Sequence, residues 1–132
     1  MKTKKGTTIV EVLVAIAVLT IGLLALYEAI ISGMRFNLKA KHRSIAYNVS
    51  SQEREILRGT SFASLNNQTE GAFLGTVSGL DKLPQGVDKL TIENYEGSSD
   101  IKKITIKVQW QESKQTKEVK ITTLIYKEGL NQ

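Results

Sequence analysis

Cysteine is absent from this 132-residue chain. That excludes disulfides, thiolate metal sites and cysteine nucleophiles. A small exported domain built from it has to hold together by packing alone. There is one histidine, His42, so histidine-rich metal clusters are excluded as well. Its neighbours Lys39, Lys41 and Arg43 suggest a surface position. There is one proline, Pro84, and it marks a turn in "DKLPQG". A strong charge of one sign is also missing from most of the chain. The formal net charge is +5, but without Lys2, Lys4 and Lys5 the count is 15 basic against 13 acidic residues. The basic excess is largely N-terminal, and the rest reads as a solvated mixed-charge surface rather than a nucleic-acid footprint.

What is present begins with a long apolar run. Val12 to Tyr27 are sixteen positions without a charge, and Thr7–Val10 and Ala29–Met34 extend the run on either side. The span is long enough to cross a bilayer. The lysines before Gly6 predict a cytoplasmic N-terminus and a C-terminal part outside. It is too long for an ordinary secretory h-region, carries Glu11 and lacks a small-x-small cleavage site. No Gly or Pro interrupts residues 35–58, where Leu38, Ile45, Val49 and Ile56 recur as a helical stripe. In this reading Glu53, Arg54, Glu55 and Arg58 point away from the core and Gly59 caps the helix. One helix from about Thr8 to Arg58 is then about 75 Å long at 1.5 Å per residue.

Residues 59–87 read as a variable loop with one short strand near Ala72 to Val77. Period-two alternation follows. Leu90 and Ile92 alternate with Lys89, Thr91 and Glu93, and Ile104, Ile106, Val108 and Trp110 alternate with polar residues. After the polar turn "QESKQT", Val119, Ile121, Thr123 and Ile125 take up the same rhythm. The expected fold is α+β, a long N-terminal helix packed on a small antiparallel sheet of three or four strands. The domain reading is residues 1–6 as a leader, 7–34 as a transmembrane or filament-core helix, and 35–132 as a head. The head comprises the helix continuation (35–58), the loop (59–87) and the sheet (88–127).

Glu11 is the costly residue, a carboxylate near the start of an apolar helix. The stretch "KKG" followed by "TTIVEVLVAIAVLTIGLLAL" resembles the type IV pilin and pseudopilin superfamily. The resemblance implies cleavage by prepilin peptidase between Gly6 and Thr7, methylation of the new N-terminal Thr7, and a filament-assembly role for Glu11 as the fifth mature residue. Lys2, Lys4 and Lys5 are the basic residues of the leader. A new α-amino group beside a poorly solvated carboxylate explains the offset, because pairing offsets the cost of an isolated ion. The partner amine belongs either to a neighbouring subunit or to the same chain. Within the superfamily, "VLVA…IGLLAL", "SSQEREILRG" and the late strands "ITIKVQW" and "KEVKITTLIY" are most like PilV-type minor pilins and the related I-type pseudopilins of type II secretion. The chain departs from major pilins in having threonine after Gly6, where phenylalanine is usual, no proline in the apolar run and no cysteine pair.

The implied function is a minor pilin-like structural subunit, anchored in the cytoplasmic membrane and later part of a surface filament. Its implied partners are other pilin subunits, prepilin peptidase and the platform protein of the assembly machine. A type II secretion or competence pseudopilin is the alternative, with nucleic acid a partner only in a competence system. A plain membrane-anchored β-domain is the second alternative. No enzyme is expected, since no nucleophile–base constellation or phosphate loop is present, and no cofactor or metal is implied. The sequons at Asn48 and Asn67 read as chance matches.

Overall fold

The computed structural model describes residues 8–128. One helix, α1 (Ile9–Gly59), is followed by four strands, β1 (Gln68–Gly71), β2 (Val87–Asn94), β3 (Ile101–Glu112) and β4 (Gln115–Tyr126). Short 3-10 turns at Phe62–Ser64, Leu80–Lys82 and Tyr95–Gly97 lie between them. The fold is α+β, as expected. The chain divides into two compact units, one ending at Leu38 and the other beginning at Lys39.

The first unit is the N-terminal stretch of α1. Apart from the half-buried Ile31, every described residue in it is exposed. No charge interrupts Val12–Tyr27, and the stretch is long and apolar enough to cross a membrane. Thr20 is reconciled with this run by donating its hydroxyl to the Ile16 carbonyl at 2.8 Å, which satisfies the polar group inside its own helix.

The second unit is a four-stranded antiparallel sheet in the order β1-β2-β3-β4, with the last turns of α1 on one face. The alternation sets the register. Leu90 opposes Ile106 and Ile92 opposes Ile104, while Ile106 opposes Ile121 and Val108 opposes Val119. All apolar members therefore share one face of the pleat. One core cluster gathers Leu57, Leu65, Leu90, Ile92, Ile104 and Ile106. A second gathers Ala46, Val49, Leu83, Val108 and Trp110. Phe73 packs against both.

The hairpin between β3 and β4 closes on Ser113 and Lys114, both left-handed at φ +50° and +67°. A two-residue turn of this twist suits a hairpin, although neither residue is the glycine or asparagine that adopts it at least cost. At its other end α1 runs one residue beyond Arg58 to Gly59. There Thr60 donates its hydroxyl to the Ile56 carbonyl at 2.8 Å, covering one of the helix's last acceptors.

Three expectations are corrected. The strand placed near Ala72–Val77 lies instead at Gln68–Gly71, because the N–H groups of residues 73–75 are taken by side-chain carboxylates rather than by a neighbouring strand. The buried face of α1 is His42, Ala46, Val49, Ser50, Glu53 and Leu57. It is rotated from the stripe read as Leu38, Ile45, Val49 and Ile56, of which Leu38 is exposed and only Val49 is fully buried. Glu53 and His42, read as outward-facing, are therefore both buried.

Candidate functional site

Glu11 sits in the first turn of α1. Its carboxylate Oε2 accepts the Thr8 backbone N–H at 3.0 Å, and the Thr8 hydroxyl lies 3.5 Å from the same oxygen. In return, Thr8 Oγ1 accepts the Glu11 backbone N–H at 3.3 Å. The first helical bond, from the Val12 N–H to the Thr8 carbonyl, is 3.3 Å. This is a reciprocal capping box, in which a threonine N-cap and a glutamate three residues on satisfy each other's orphan donors. The carboxylate also lies at the positive end of the helix dipole. "TTIVE" carries this signal as Thr8-x-x-Glu11, and the sequence reading passed over it. Glu11 thus has a local partner within its own chain. Lys2, Lys4, Lys5, Gly6 and Thr7 lie outside the described residues.

The head contains two polar groups that sequence patterning missed. His42 Nδ1 is 3.2 Å from Glu112 Oε1, with both side chains nearly buried. Glu53 is wholly buried and accepts the backbone N–H groups of Leu74 at 2.7 Å and Gly75 at 3.3 Å. Burial pushes its pKa up; the two N–H groups oppose that shift and the nearby Asp88 charge adds to it.

The sheet's surface charges are interleaved. Glu70 pairs with Lys89 at 2.9 Å and Lys107 at 3.4 Å, and hydrogen bonds from these two lysines, Lys89 first, hold its carboxyl below the usual range. Glu93 pairs with Lys103 and Asp100 with Lys127. This pairing interleaves acidic and basic side chains over the sheet. Among the described residues, no group of three His, Cys, Asp or Glu side chains is placed to hold a metal ion.

Comparison with known proteins adds one match. Residues 1–27 match the family described as the prokaryotic N-terminal methylation motif. No curated protein and no solved structure matches the chain. The matched segment spans Gly6, Thr7 and Glu11 together with the first turns of α1. The motif supports a type IV pilin-like or pseudopilin subunit, and with the apolar first stretch of α1 it fits a membrane-anchored protein.

Proposed function

We propose that the chain is a non-enzymatic, minor pilin-like subunit, cut by prepilin peptidase between Gly6 and Thr7 and incorporated into a type IV pilus-like filament. The observation that carries this reading is the methylation motif over residues 1–27, set on a helix whose first turn holds Glu11. Before cleavage the lysine-bearing leader lies on the cytoplasmic side and the head outside. Cleavage creates an α-amino group at Thr7, which is then methylated. That amine stands one residue before the Thr8 N–H already bound by Glu11.

In a filament core both ions are poorly solvated, so an amine–carboxylate pair offsets much of the cost of burying either. When the amine comes from a neighbouring subunit, the pair also sets the axial register, which apolar stripes alone leave free to slide. The partners in this reading are other pilin-like subunits, prepilin peptidase and the platform protein of the assembly machine. The likeness of "VLVA…IGLLAL" and the two late strands to PilV-type minor pilins favours low copy over a major subunit.

The test is mass spectrometry of the N-terminus of the native membrane protein, with and without prepilin peptidase. A chain beginning at Thr7 only when the peptidase is present, with or without one added methyl group, is expected. An intact leader in both samples overturns the reading and leaves a plain membrane-anchored domain.

A further inference from the structure

Charge is spread unevenly along α1. Between Glu28 and Glu53 the chain holds no Asp or Glu, yet it holds Arg35, Lys39, Lys41 and Arg43. Of the 15 basic residues outside the leader, these four leave 11 against 13 acidic ones, so the rest of that part is slightly acidic. All four are exposed. None lies within salt-bridge distance of an acid among the described residues. The sheet lysines differ: Lys89, Lys103, Lys107 and Lys127 each reach a carboxylate. The neighbouring His42 turns inward to Glu112. Arg43 shares a groove with Glu118 and Lys120, one charge of each sign.

The four cations follow directly on the apolar run. A hydrocarbon layer about 30 Å thick takes about 20 helical residues. Counted from Val12, the first residue after Glu11, that length ends at Ile31. At about 1.5 Å per residue, Arg35 then lies about 6 Å beyond the hydrocarbon, Lys39 about 12 Å and Arg43 about 18 Å. The polar layer on each side of the hydrocarbon is about 5–8 Å deep. Side chains on a helix lean toward its N-terminus, which here is the membrane side. Lysine and arginine stems carry their charges back toward that layer, and a Debye length of about 8 Å keeps Lys41 and Arg43 within the field of the headgroups. Tyr27 and Phe36, both exposed, flank this end of the run, as aromatic side chains do at membrane interfaces.

We propose that Arg35, Lys39, Lys41 and Arg43 form a basic collar that binds anionic phospholipid headgroups in the leaflet from which the head emerges. The inference rests on the membrane-anchored reading of the apolar run and deepens it by naming the class of lipid. Any bilayer satisfies the apolar side chains, but only an anionic surface gives four unpaired cations a counter-charge. Each Lys or Arg near such a surface contributes about fivefold in affinity. The contact also sets the depth of the helix. Sliding inward would carry Arg35 into hydrocarbon, where a charge is costly. Sliding outward would expose apolar side chains to water and draw the cations away from the headgroups.

The experiment reconstitutes the full chain in phosphatidylcholine bilayers with a trace of spin-labelled phosphatidylglycerol or spin-labelled phosphatidylcholine. Electron paramagnetic resonance then gives the fraction of each lipid held at the protein surface. The leader lysines lie on the other side of the bilayer in this reading, so their contribution is removed first with Lys2→Gln, Lys4→Gln and Lys5→Gln. That chain is expected to prefer phosphatidylglycerol by at least about fivefold at low salt, and the preference is expected to shrink as salt is raised. Adding Arg35→Gln, Lys39→Gln, Lys41→Gln and Arg43→Gln is expected to abolish the preference while the melting of the head stays unchanged. Equal retention of the two lipids before the collar is altered overturns the proposal and leaves the cations to the acids of a neighbouring subunit. A preference that survives the collar substitutions overturns it too. If neither lipid is held at all, the membrane-anchored reading itself fails, and the collar with it.

Discussion

The two stretches of α1 share a backbone and differ in almost everything else. In residues 9–38 large apolar side chains point in every direction and, apart from the half-buried Ile31, stay exposed, from Ile9 at 80% down to Val12 at 47%. In residues 39–59 one face is buried against the sheet, and that face includes Ser50 and Glu53 beside Ala46, Val49 and Leu57. A helix that is apolar all round cannot be satisfied by a single small domain; it calls for a surrounding apolar medium, a bilayer or other helices. A helix apolar on one face needs only one partner layer. The contrast also shows where polar groups are affordable. Glu11 is accommodated at the helix start, where free N–H groups and the dipole favour an anion. Glu53 is accommodated mid-helix only because another segment brings N–H groups to it.

The sharpest way to break this comparison is Glu11→Ala. Under the proposed function, subunit incorporation into filaments, read by immunoblotting sheared surface fractions, is expected to be lost, while the thermal melting of the head is unchanged. A variant that assembles normally would remove Glu11 from the assembly account and leave it only its capping role.

Next in size is a matched pair of leucine truncations. Leu57 is completely buried in the core cluster, so Leu57→Ala is expected to cost about 2–5 kcal/mol of head stability in a urea titration. Leu24, at 60% exposure in the first stretch, is expected to shift the same titration by less than about 0.5 kcal/mol when replaced by alanine. Equal effects would mean that the two stretches do not differ energetically as their burial indicates.

The smallest expected effect lies at the β3–β4 turn. Lys114 has φ +67°, a conformation in which glycine has no Cβ to accommodate. Lys114→Gly is expected to stabilise the head by about 0.4–1 kcal/mol through relief of strain at that residue, partly offset by glycine's greater freedom in the unfolded chain. Differential scanning calorimetry of the full chain in detergent would read this as a small rise in melting temperature.

Much of the fold was legible because its signals are local. The alternation of Ile104, Ile106, Val108 and Trp110 predicts a half-buried strand, and all four are buried. The uninterrupted helical stretch predicts α1 to within a residue at each end. Glu11 was legible as the residue to explain, although its Thr8 partner went unread despite the three-residue spacing that carries it. The parts that were not legible depend on contacts between distant segments. His42 lies in a run of lysine and arginine, and only the end of β3 supplies Glu112 opposite it. Glu53 lies in the charged run "EREILR", and its burial follows from N–H groups more than twenty residues further on. The strand expected at Ala72–Val77 failed for the same reason, since two carboxylates took its donors.

By itself, the sequence determined the order of elements, the apolar length of the first helical stretch, the pleat faces of β2, β3 and β4, and the placing of a carboxylate at the helix start. Each of these follows from the 3.6- and 2-residue periods and from local capping chemistry, which need no distant partner. Tertiary structure alone decided the rotation of the second helical stretch on the sheet, and with it the burial of His42 and Glu53. It also decided how residues 73–79 cross the helix. The physical reason is that a buried polar group is tolerated only where its partners converge, and here they converge from segments far apart in the chain.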